Sequence, residues 1–474
     1  MPKLLKWIFL AFLSFGCSVG PSYRPPIVET PSEWKHSAGF CQSCNDFSEV
    51  NLLNWWEIFE DSQLSWLENQ VLENNKNIFI AWERIQESRA LMGIAAADLY
   101  PQITLNPQYT STGELIQVFG QASSVASNSA GSILRVHELL YFLPFNMRYE
   151  VDLWGKIRDQ YAYANYHWQA QIKDYETVLL TMTTDLATAY YQLRAADAQI
   201  DLLEKTLKTR QKAYEINESR YEGMVTFYAD VTLAGEEVDS VLEQYYEVLR
   251  QRDILEDRIA VLMGIPASNL CLPKMPLIGI PPHVPGGIPS EILLRRPDIE
   301  ELELGMRAQH ALIKEAYAQF FPSLVLTGVE GFESPILKLF LRSFSRYWMF
   351  GVMANQIIFD GFRTYSNLQL QIATFKEASE TYQQQVLVAF QEVEDALTSI
   401  DYYAKEFAAA EGASKWALKS YQLYLDRYES GVTYYIDVVN TERDLLEFEI
   451  TLNQVRGFRY IATIQLIKAL GGSW

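Results

Sequence analysis

Histidine and cysteine are scarce in this chain, which has five histidines and four cysteines among 474 residues. The histidines are scattered, and no two have the spacing of a zinc site or of a catalytic pair. The sequence also has no Gly-rich phosphate loop and no Gly-x-Ser-x-Gly turn. It therefore predicts no enzyme activity, no metal site and no cofactor. The histidines are His36, His137, His167, His283 and His310.

Positive charge is in short supply as well. The chain has 39 Lys and Arg residues against 59 Asp and Glu residues, for a formal net charge of −20. A protein binds nucleic acid through clustered Lys and Arg that face the phosphates, so nucleic acid is excluded as a partner. The acidic surplus suits a protein that repels anions or lets cations pass.

Long apolar runs are missing too, because no segment reaches the roughly 18 residues that a membrane-spanning helix needs. The apolar segment at residues 7–15 is shorter, follows Lys3 and Lys6, and predicts an export signal over residues 1–16. The five residues that end at Cys17 are similar to a bacterial lipoprotein cleavage site. We therefore expect a lipid on Cys17; a simple secretory signal with an incidental cysteine is the alternative.

Two other cysteines, Cys41 and Cys44, have the spacing of a zinc or redox pair. No second cysteine pair or histidine pair completes a metal site. In the oxidising compartment that an export signal implies, a local disulfide is favoured over a metal.

What the chain does have is an internal repeat, because its last third repeats its middle third at a constant offset of 207 residues. Residues 220–222 recur at 427–429, and Asp230 recurs as Asp437. Such repetition indicates a duplicated structural unit, of which neither copy has to bury its apolar face alone.

Both copies carry apolar residues at every seventh position, a spacing typical of coiled-coil helices. From Arg363 to Arg427 the second copy has no proline. About 60 residues at 1.5 Å each predict a helical rod of about 90 Å. One row of apolar residues includes Leu179, Leu186 and Leu193 in the first copy and Val386, Val393 and Ile400 in the second.

Each rod leads through a short polar break, at residues 221–230 or 428–437, into another helical run. The repeated unit is thus a long helical hairpin. A further helix is predicted before each unit, over residues 64–99 and 298–320, and a proline soon after each one favours its end there.

After these prolines the apolar residues recur at every second position instead of every seventh. Over residues 145–153 apolar and polar side chains alternate, which predicts a strand with one apolar face and one charged face. We predict four strands, paired around polar connections at residues 111–138 and 333–346. The charged residues of the first strand face are Arg148, Glu150 and Asp152.

The predicted fold is mainly helical with a four-stranded β segment. Four strands cannot close a barrel alone, and a bilayer does not tolerate open strand edges, so membrane-embedded strands would need several chains. A soluble protein with a small half-exposed sheet is the alternative. We divide the chain into the signal (1–16), an N-terminal lipid-anchored arm (17–60), a first repeat (61–264), a Pro-rich crossing segment (265–290) and a second repeat (291–472).

Several short stretches, in order along nearly the whole chain, carry a family resemblance. They include residues 19–23 (VGPSY), 55–59 (WWEIF), 149–155 (YEVDLWG), 295–299 (RRPDI), 358–361 (IFDG) and 469–474 (ALGGSW). Through them the chain resembles the TolC-type outer membrane efflux proteins, and most of all their lipid-anchored, NodT/OprM-like branch.

This resemblance implies a homotrimer held in outer membrane lipid. Four strands from each chain would form a 12-stranded transmembrane β-barrel, and the hairpins would form a periplasmic α-barrel. It also implies a periplasmic adaptor protein and an inner-membrane efflux pump as partners, with the trimer as a passive exit duct. The alternative is a non-channel periplasmic coiled-coil lipoprotein with a structural or adaptor role.

Family members close the tunnel at the hairpin tips with acidic and aromatic side chains. Asp437 falls on the acidic tip position of the family, and Asp230 is its repeat partner. Three copies of one carboxylate would form a ring that attracts cations. We also expect Tyr428 and Tyr434 at this constriction. The alternative for Asp437 is that it only caps the returning helix.

Two tip positions depart from the family pattern. Met224 stands where the family usually has glycine, with Gly223 one place earlier, which leaves the geometry of the first tip open. Asn440 replaces a second acidic residue, so we expect a constriction with less charge. In the strands, Arg148, Glu150 and Asp152 would face the barrel lumen.

Overall fold

The computed structural model describes residues 19–31, 34–35, 54–118, 132–284 and 295–472. The predicted signal, Cys17, Cys41 and Cys44 lie outside these residues, and what was predicted of them stays a prediction. The described residues form two compact units. The first contains the residues up to Arg24, Glu87–Trp168 and Leu304–Ala378, and the second contains Pro25–Gln86, Gln169–Glu303 and the residues from Ser379.

Helices make up most of the described chain, as the sequence predicts. None of the helices described has an apolar stretch long enough to cross a membrane. In chain order they are α1 (Ser62–Asn74), α2 (Lys76–Ala97), α3 (Lys156–Glu222), α4 (Tyr228–Leu262), α5 (Pro297–Ala318), α6 (Arg363–Glu429) and α7 (Tyr435–Ala469).

The two predicted hairpins are confirmed, and their bounds preserve the repeat. Both α3 and α6 have 67 residues, and both α4 and α7 have 35. Each bound in the second hairpin lies at the same offset from its counterpart as the sequence repeat does. The duplicated sequence therefore folds into two hairpins of equal length.

The single helix predicted over residues 64–99 is wrong, because the chain forms α1 and α2 with a break at Asn75. The side-chain oxygen of Asn75 accepts hydrogen bonds from the backbone N–H groups of Asn77 at 2.8 Å and Ile78 at 3.2 Å. Its amide nitrogen donates to the carbonyl oxygen of Leu262 at 2.6 Å. An asparagine that caps a new helix start competes with continuation of the preceding helix.

The strands form one antiparallel sheet in the first unit. The sheet order is β1–β3–β4–β5, and β2 also pairs with β3 beyond β1. The first of the four predicted strand positions is thus occupied by two segments, which Asn106 and Pro107 separate. The strands are β1 (Gln102–Leu105), β2 (Gln108–Val118), β3 (Ser132–Val151), β4 (Ser323–Ser334) and β5 (Arg346–Asn355).

The connection predicted at residues 111–138 is too long. Residues 111–118 pair with residues 132–139 as a continuous ladder of β2 and β3. The polar side chains there are compatible with a strand because backbone groups, not side chains, make the ladder. The second predicted connection, at residues 333–346, agrees with the ends of β4 and β5.

Register places apolar side chains from neighbouring strands on one face of the sheet. Ile103 lies opposite Met147, Tyr149 opposite Leu326, and Leu326 opposite Val352. Ile103 and Val352 are exposed in the single chain. A large exposed apolar face indicates contact with lipid or with another protein.

The second unit contains the main apolar core, around the fully buried Trp55. The Trp55 indole N–H donates to the hydroxyl of Thr183 at 3.2 Å, and the rings of Tyr191 and Tyr460 stack with their centres 4.5 Å apart. Trp56 is buried in the same core, so the Trp55–Trp56 pair packs against the helices.

The hairpin helices share one type of C-terminal end. The backbone N–H of Ile265 donates to the carbonyl of Ala260, and that of Gly264 donates to Val261, which together make a Schellman motif. The residue in the left-handed conformation is Gly264 after α4, with φ of +70°, and Gly431 after α6, with φ of +73°. Glycine suits this position because it has no Cβ.

Substitution at these two glycines should separate backbone strain from close packing. A Cβ at Gly264 would lie 2.4 Å from the carbonyl oxygen of Asn74, whereas nothing lies within 4 Å of a Cβ at Gly431. We expect Gly431→Ala to lower the free energy of unfolding by about 1–2 kcal/mol, from left-handed strain alone. Gly264→Ala should cost at least about 3 kcal/mol, because the α1 backbone must also move.

Guanidinium unfolding of the detergent-solubilised protein, followed by far-UV circular dichroism, measures both losses. Gly431→Ala is the matched control, since it has the same backbone conformation without the contact. Equal losses for the two variants would contradict this account of Gly264.

Candidate functional site at the hairpin tips

The two hairpin tips, residues 223–227 and 430–434, have the same backbone hydrogen bonds. The N–H of Val225 donates to the carbonyl of Arg220 at 2.8 Å, and the N–H of Val432 donates to that of Arg427 at 2.9 Å. These bonds close the ends of α3 and α6, so the chain turns back in the same way at both tips.

Met224 occupies the left-handed position in the first tip, with φ of +56°, where Gly431 stands in the second. The sequence left the geometry of the first tip open, and the structure shows that it matches that of the second. A residue with a Cβ in this conformation costs roughly 1–2 kcal/mol. The Met224 side chain is 94% exposed, so no packing within the described chain offsets this cost.

Asp230 and Asp437 lie in the first turns of α4 and α7 and are half-buried. The carboxylate of Asp230 accepts a hydrogen bond from the hydroxyl of Thr226, and that of Asp437 from the hydroxyl of Thr433. Negative charge is favourable at the N-terminal end of a helix. Asp437 therefore stabilises the start of α7 from its third position; the N-cap residue is Tyr434, whose side chain makes no capping bond.

Tyr428 links the two hairpins within one chain. Its hydroxyl accepts a hydrogen bond from the Arg220 guanidinium at 2.8 Å and lies 3.5 Å from the side-chain oxygen of Asn217. Its ring also packs against Tyr435, with the ring centres 5.5 Å apart. Burial raises the pKa of Tyr428, so its hydroxyl stays protonated. A tip that opened by separating the hairpins would have to break the contacts of Tyr428 with Arg220 and Asn217.

Apolar side chains cover the outer surface of both tips. Tyr434 is 81% exposed, and so is its repeat partner Phe227. Together with Met224, Val225 and Val432 they form what we call the tip patch. Exposed apolar side chains grouped in this way are typical of a protein-binding surface.

A buried ionic network lies between the hairpins, and sequence reasoning missed it. Arg210 pairs with Glu237, and its guanidinium nitrogen lies 3.8 Å from Glu442. Arg443 donates to Glu237 at 2.6 Å. Burial raises the pKa of Glu442, although Arg210 opposes this shift. The network thus joins α3, α4 and α7, with Arg210 and Glu237 buried and Arg443 exposed at its edge.

A signal for this network is present in the heptads. Arg210 follows Leu203 by seven residues, so it lies in a row that is otherwise apolar. The repeat partner of Arg210 is Ala417, and that of Glu442 is Gly235. The second copy therefore has no equivalent network, and each chain contains it once.

The structure separates the three predicted lumen charges. Arg148 lies in β3 and is exposed. Glu150 accepts a hydrogen bond from Lys156 at 3.1 Å. Asp152 is not in a strand, because β3 ends at Val151. Its carboxylate accepts from the backbone N–H of Arg158 at 2.9 Å and holds the start of α3.

No group of three or more His, Cys, Asp or Glu side chains within the described residues is arranged to hold a metal ion. Cys271 is a free, exposed thiol. The groups that the tips offer to a ligand or partner are carboxylates, hydroxyls and apolar side chains.

Comparison with known proteins places the chain in a family. A profile of the outer membrane efflux protein family matches residues 67–265 and 288–472. The chain belongs to this family. The cation efflux system protein CusC of Escherichia coli O6:H1 is 28% identical over 483 residues, which cover 100% of this chain and 99% of CusC.

Solved structures of outer-membrane channels have the same fold. The channel OprN matches with a TM-score of 0.86 at 26% identity, over 96% of this chain and 99% of OprN. The CmeC channel of Campylobacter jejuni matches with a TM-score of 0.85 at 25% identity, over 96% and 95% of the two chains. The efflux protein is therefore an outer membrane component of an efflux system. The comparisons favour this role over that of a non-channel lipoprotein.

Removal of one charge from the buried network should destabilise the efflux protein. Arg210→Met would leave Glu442 without its cation and Glu237 with only Arg443. We expect a loss of about 3–5 kcal/mol in the free energy of unfolding, since a buried charge loses its partner. Guanidinium titration measures the loss.

Arg250→Met is the matched control, because it removes an exposed pair with Glu247 on α4. It should have little effect, as exposed pairs contribute little. A similar small change for Arg210→Met would show that the network does not hold the hairpins together.

Proposed function

We propose that three copies of this chain form one continuous duct through the outer membrane. The observation that carries this proposal is an open sheet with one exposed apolar face. β5 and the β1–β2 pair each leave one edge without a partner in the described chain. Unpaired backbone groups are costly in hydrocarbon, so such edges must pair with neighbouring copies.

Strand number and length fit this arrangement. Four strand positions from each of three chains give a 12-stranded barrel, and known transmembrane barrels begin at about eight strands. β4 has 12 residues and β5 has 10. A tilted strand needs about 9–11 residues to cross a bilayer. The long hairpins would then line up as the periplasmic α-barrel.

The tips would form the regulated end of the duct. Three copies of Asp437 around one axis would make a ring of carboxylates, and the Arg220–Tyr428 hydrogen bond supports a closed arrangement of the hairpins. Asp230 would add a second ring, and Tyr434 would narrow the opening. Substrates would pass through passively, driven by an inner-membrane efflux pump.

Two variants separate the pore role of Asp437 from its helix-start role. Asp437→Asn removes the charge but keeps an oxygen that can accept from Thr433. We expect a lower preference for cations in planar-bilayer recordings, since the ring loses its charge. Thr433→Val keeps the charge and removes the hydrogen bond, so it should cost about 1 kcal/mol of stability and leave ion preference unchanged.

Reversal potentials in a salt gradient measure ion preference. Asp253→Asn, an exposed carboxylate on α4, is the charge-matched control. If Asp437→Asn leaves the reversal potential unchanged, the carboxylate does not line the pore. A trimer that never passes ions would favour the alternative of a non-channel lipoprotein with a structural role.

The tip patch is the proposed docking surface for a periplasmic adaptor protein. It lies at the end of the hairpins, and its large side chains have no cover within the described chain. Buried aromatic side chains contribute most of the binding energy in many interfaces. An adaptor that presents apolar side chains would bury Phe227 and Tyr434.

A double variant Phe227→Ser/Tyr434→Ser should reduce adaptor capture about tenfold or more, because two aromatic anchors are lost. In-cell cross-linking followed by mass spectrometry measures the adaptor recovered with the efflux protein. The control is Ile254→Ser/Trp416→Ser, two exposed apolar side chains on α4 and α6. Equal recovery from the two double variants would place docking elsewhere.

A further inference from the structure

The connection between β4 and β5, residues 335–345, differs in charge from the rest of the chain. This β4–β5 loop contains Lys338 and Arg342, is followed by Arg346, and has no acidic residue. The chain as a whole has a net charge of −20. A local cluster of cations creates a positive potential that attracts an anionic partner.

Two of these cations have no ion pair with any residue that the structure describes. Arg346 contacts the carboxylate of Glu330 on β4. Lys338 and Arg342 are exposed and form no such contact among the described residues. Their charge is therefore available to a ligand.

Apolar side chains alternate with these cations on an ordered loop. Leu341 is 67% exposed and Phe344 is 69% exposed. The hydroxyl of Ser345 donates to the carbonyl of Leu339 at 2.8 Å, and the ring of Phe340 lies 6.0 Å from that of Tyr141 on β3. The fold thus presents apolar and cationic groups together at a fixed place.

The β4–β5 loop lies at the end of the sheet where the proposed barrel would meet the membrane surface. β4 follows α5 and β5 leads to α6, so the loop lies at the end of these strands opposite the helices. Aromatic rings gather on the strands near that end, where Phe142 and Tyr347 lie 5.7 Å apart. Aromatic girdles mark the interfaces of transmembrane barrels. With the helices in the periplasm, the loop faces the outer leaflet.

We propose that the β4–β5 loop binds the phosphorylated glycolipid of the outer leaflet, with Lys338 and Arg342 at its phosphates. Leu341 and Phe344 would enter the boundary between the sugar and the acyl chains, as amphipathic anchors do. The glycolipid fits better than a soluble anion because the exposed apolar side chains lie among the cations. This inference rests on the proposed barrel, which sets the depth of the loop.

The test uses the full-length trimer in lipid nanodiscs and purified lipid A, a doubly phosphorylated acylated disaccharide. Lys338→Gln/Arg342→Gln should weaken lipid A binding roughly 25-fold, from about fivefold for each surface cation. Lys338→Arg/Arg342→Lys should bind as the unchanged protein does, because charge is kept. The control Lys208→Gln/Lys212→Gln removes two exposed lysines at the same four-residue spacing on α3 and should have no effect.

The proposal would be overturned by unchanged lipid A binding by the double Gln variant, by an equal loss in the α3 control, or by equal binding of dephosphorylated lipid A. Equal affinity for phosphatidylglycerol would also overturn it, by showing that any anionic lipid suffices. Trimer formation is measured on the same samples, and ion conductance is measured on the same variants in planar bilayers. Intact conductance without lipid A binding refutes only this inference, whereas absence of trimers refutes the proposed duct.

Discussion

Closure of the helix ends by backbone hydrogen bonds is the constraint on which the tips depend. At the end of α6 the N–H groups of Gly431 and Val432 turn back to the last helical carbonyls, which requires a left-handed residue at that point. This conformation fixes the direction in which α7 starts and therefore where Asp437 lies. The same bonds form in the first tip although Met224 replaces glycine there, so closure of the helix end outweighs the local strain.

Side chains break the symmetry that the backbone keeps. The two hairpins have equal lengths and matching turns, yet Arg210 has Ala417 as its repeat partner and Tyr428 has Arg220 as a contact in the other hairpin. Duplication supplied two copies of one scaffold, and the contacts between the copies are made by residues that differ. Ionic contacts of this kind are weak evidence for stability but define which helix faces which. The two hairpins can thus be alike in backbone and unlike in the charges along their helices.

Much of the fold could be predicted from periodicity, because heptads and alternation report which face of an element is buried. The bounds of α6 and the apolar face of β3 were predictable on this ground. The break at Asn75 was not predictable, because the side chain that caps the next helix also donates to the carbonyl of Leu262, which is distant in sequence. The extent of β2 was missed for a related reason, since its polar residues are held by pairing with β3.

Repeats and short motifs alone were enough to predict the duplicated hairpins, the approximate strand positions and the resemblance to an efflux family. The tertiary structure decided which side chains meet. It placed Asp437 in a helix start beside Thr433, removed Asp152 from the strand, and brought Arg210 to Glu237. Such contacts depend on distances between elements far apart in the chain, and no local pattern encodes those distances.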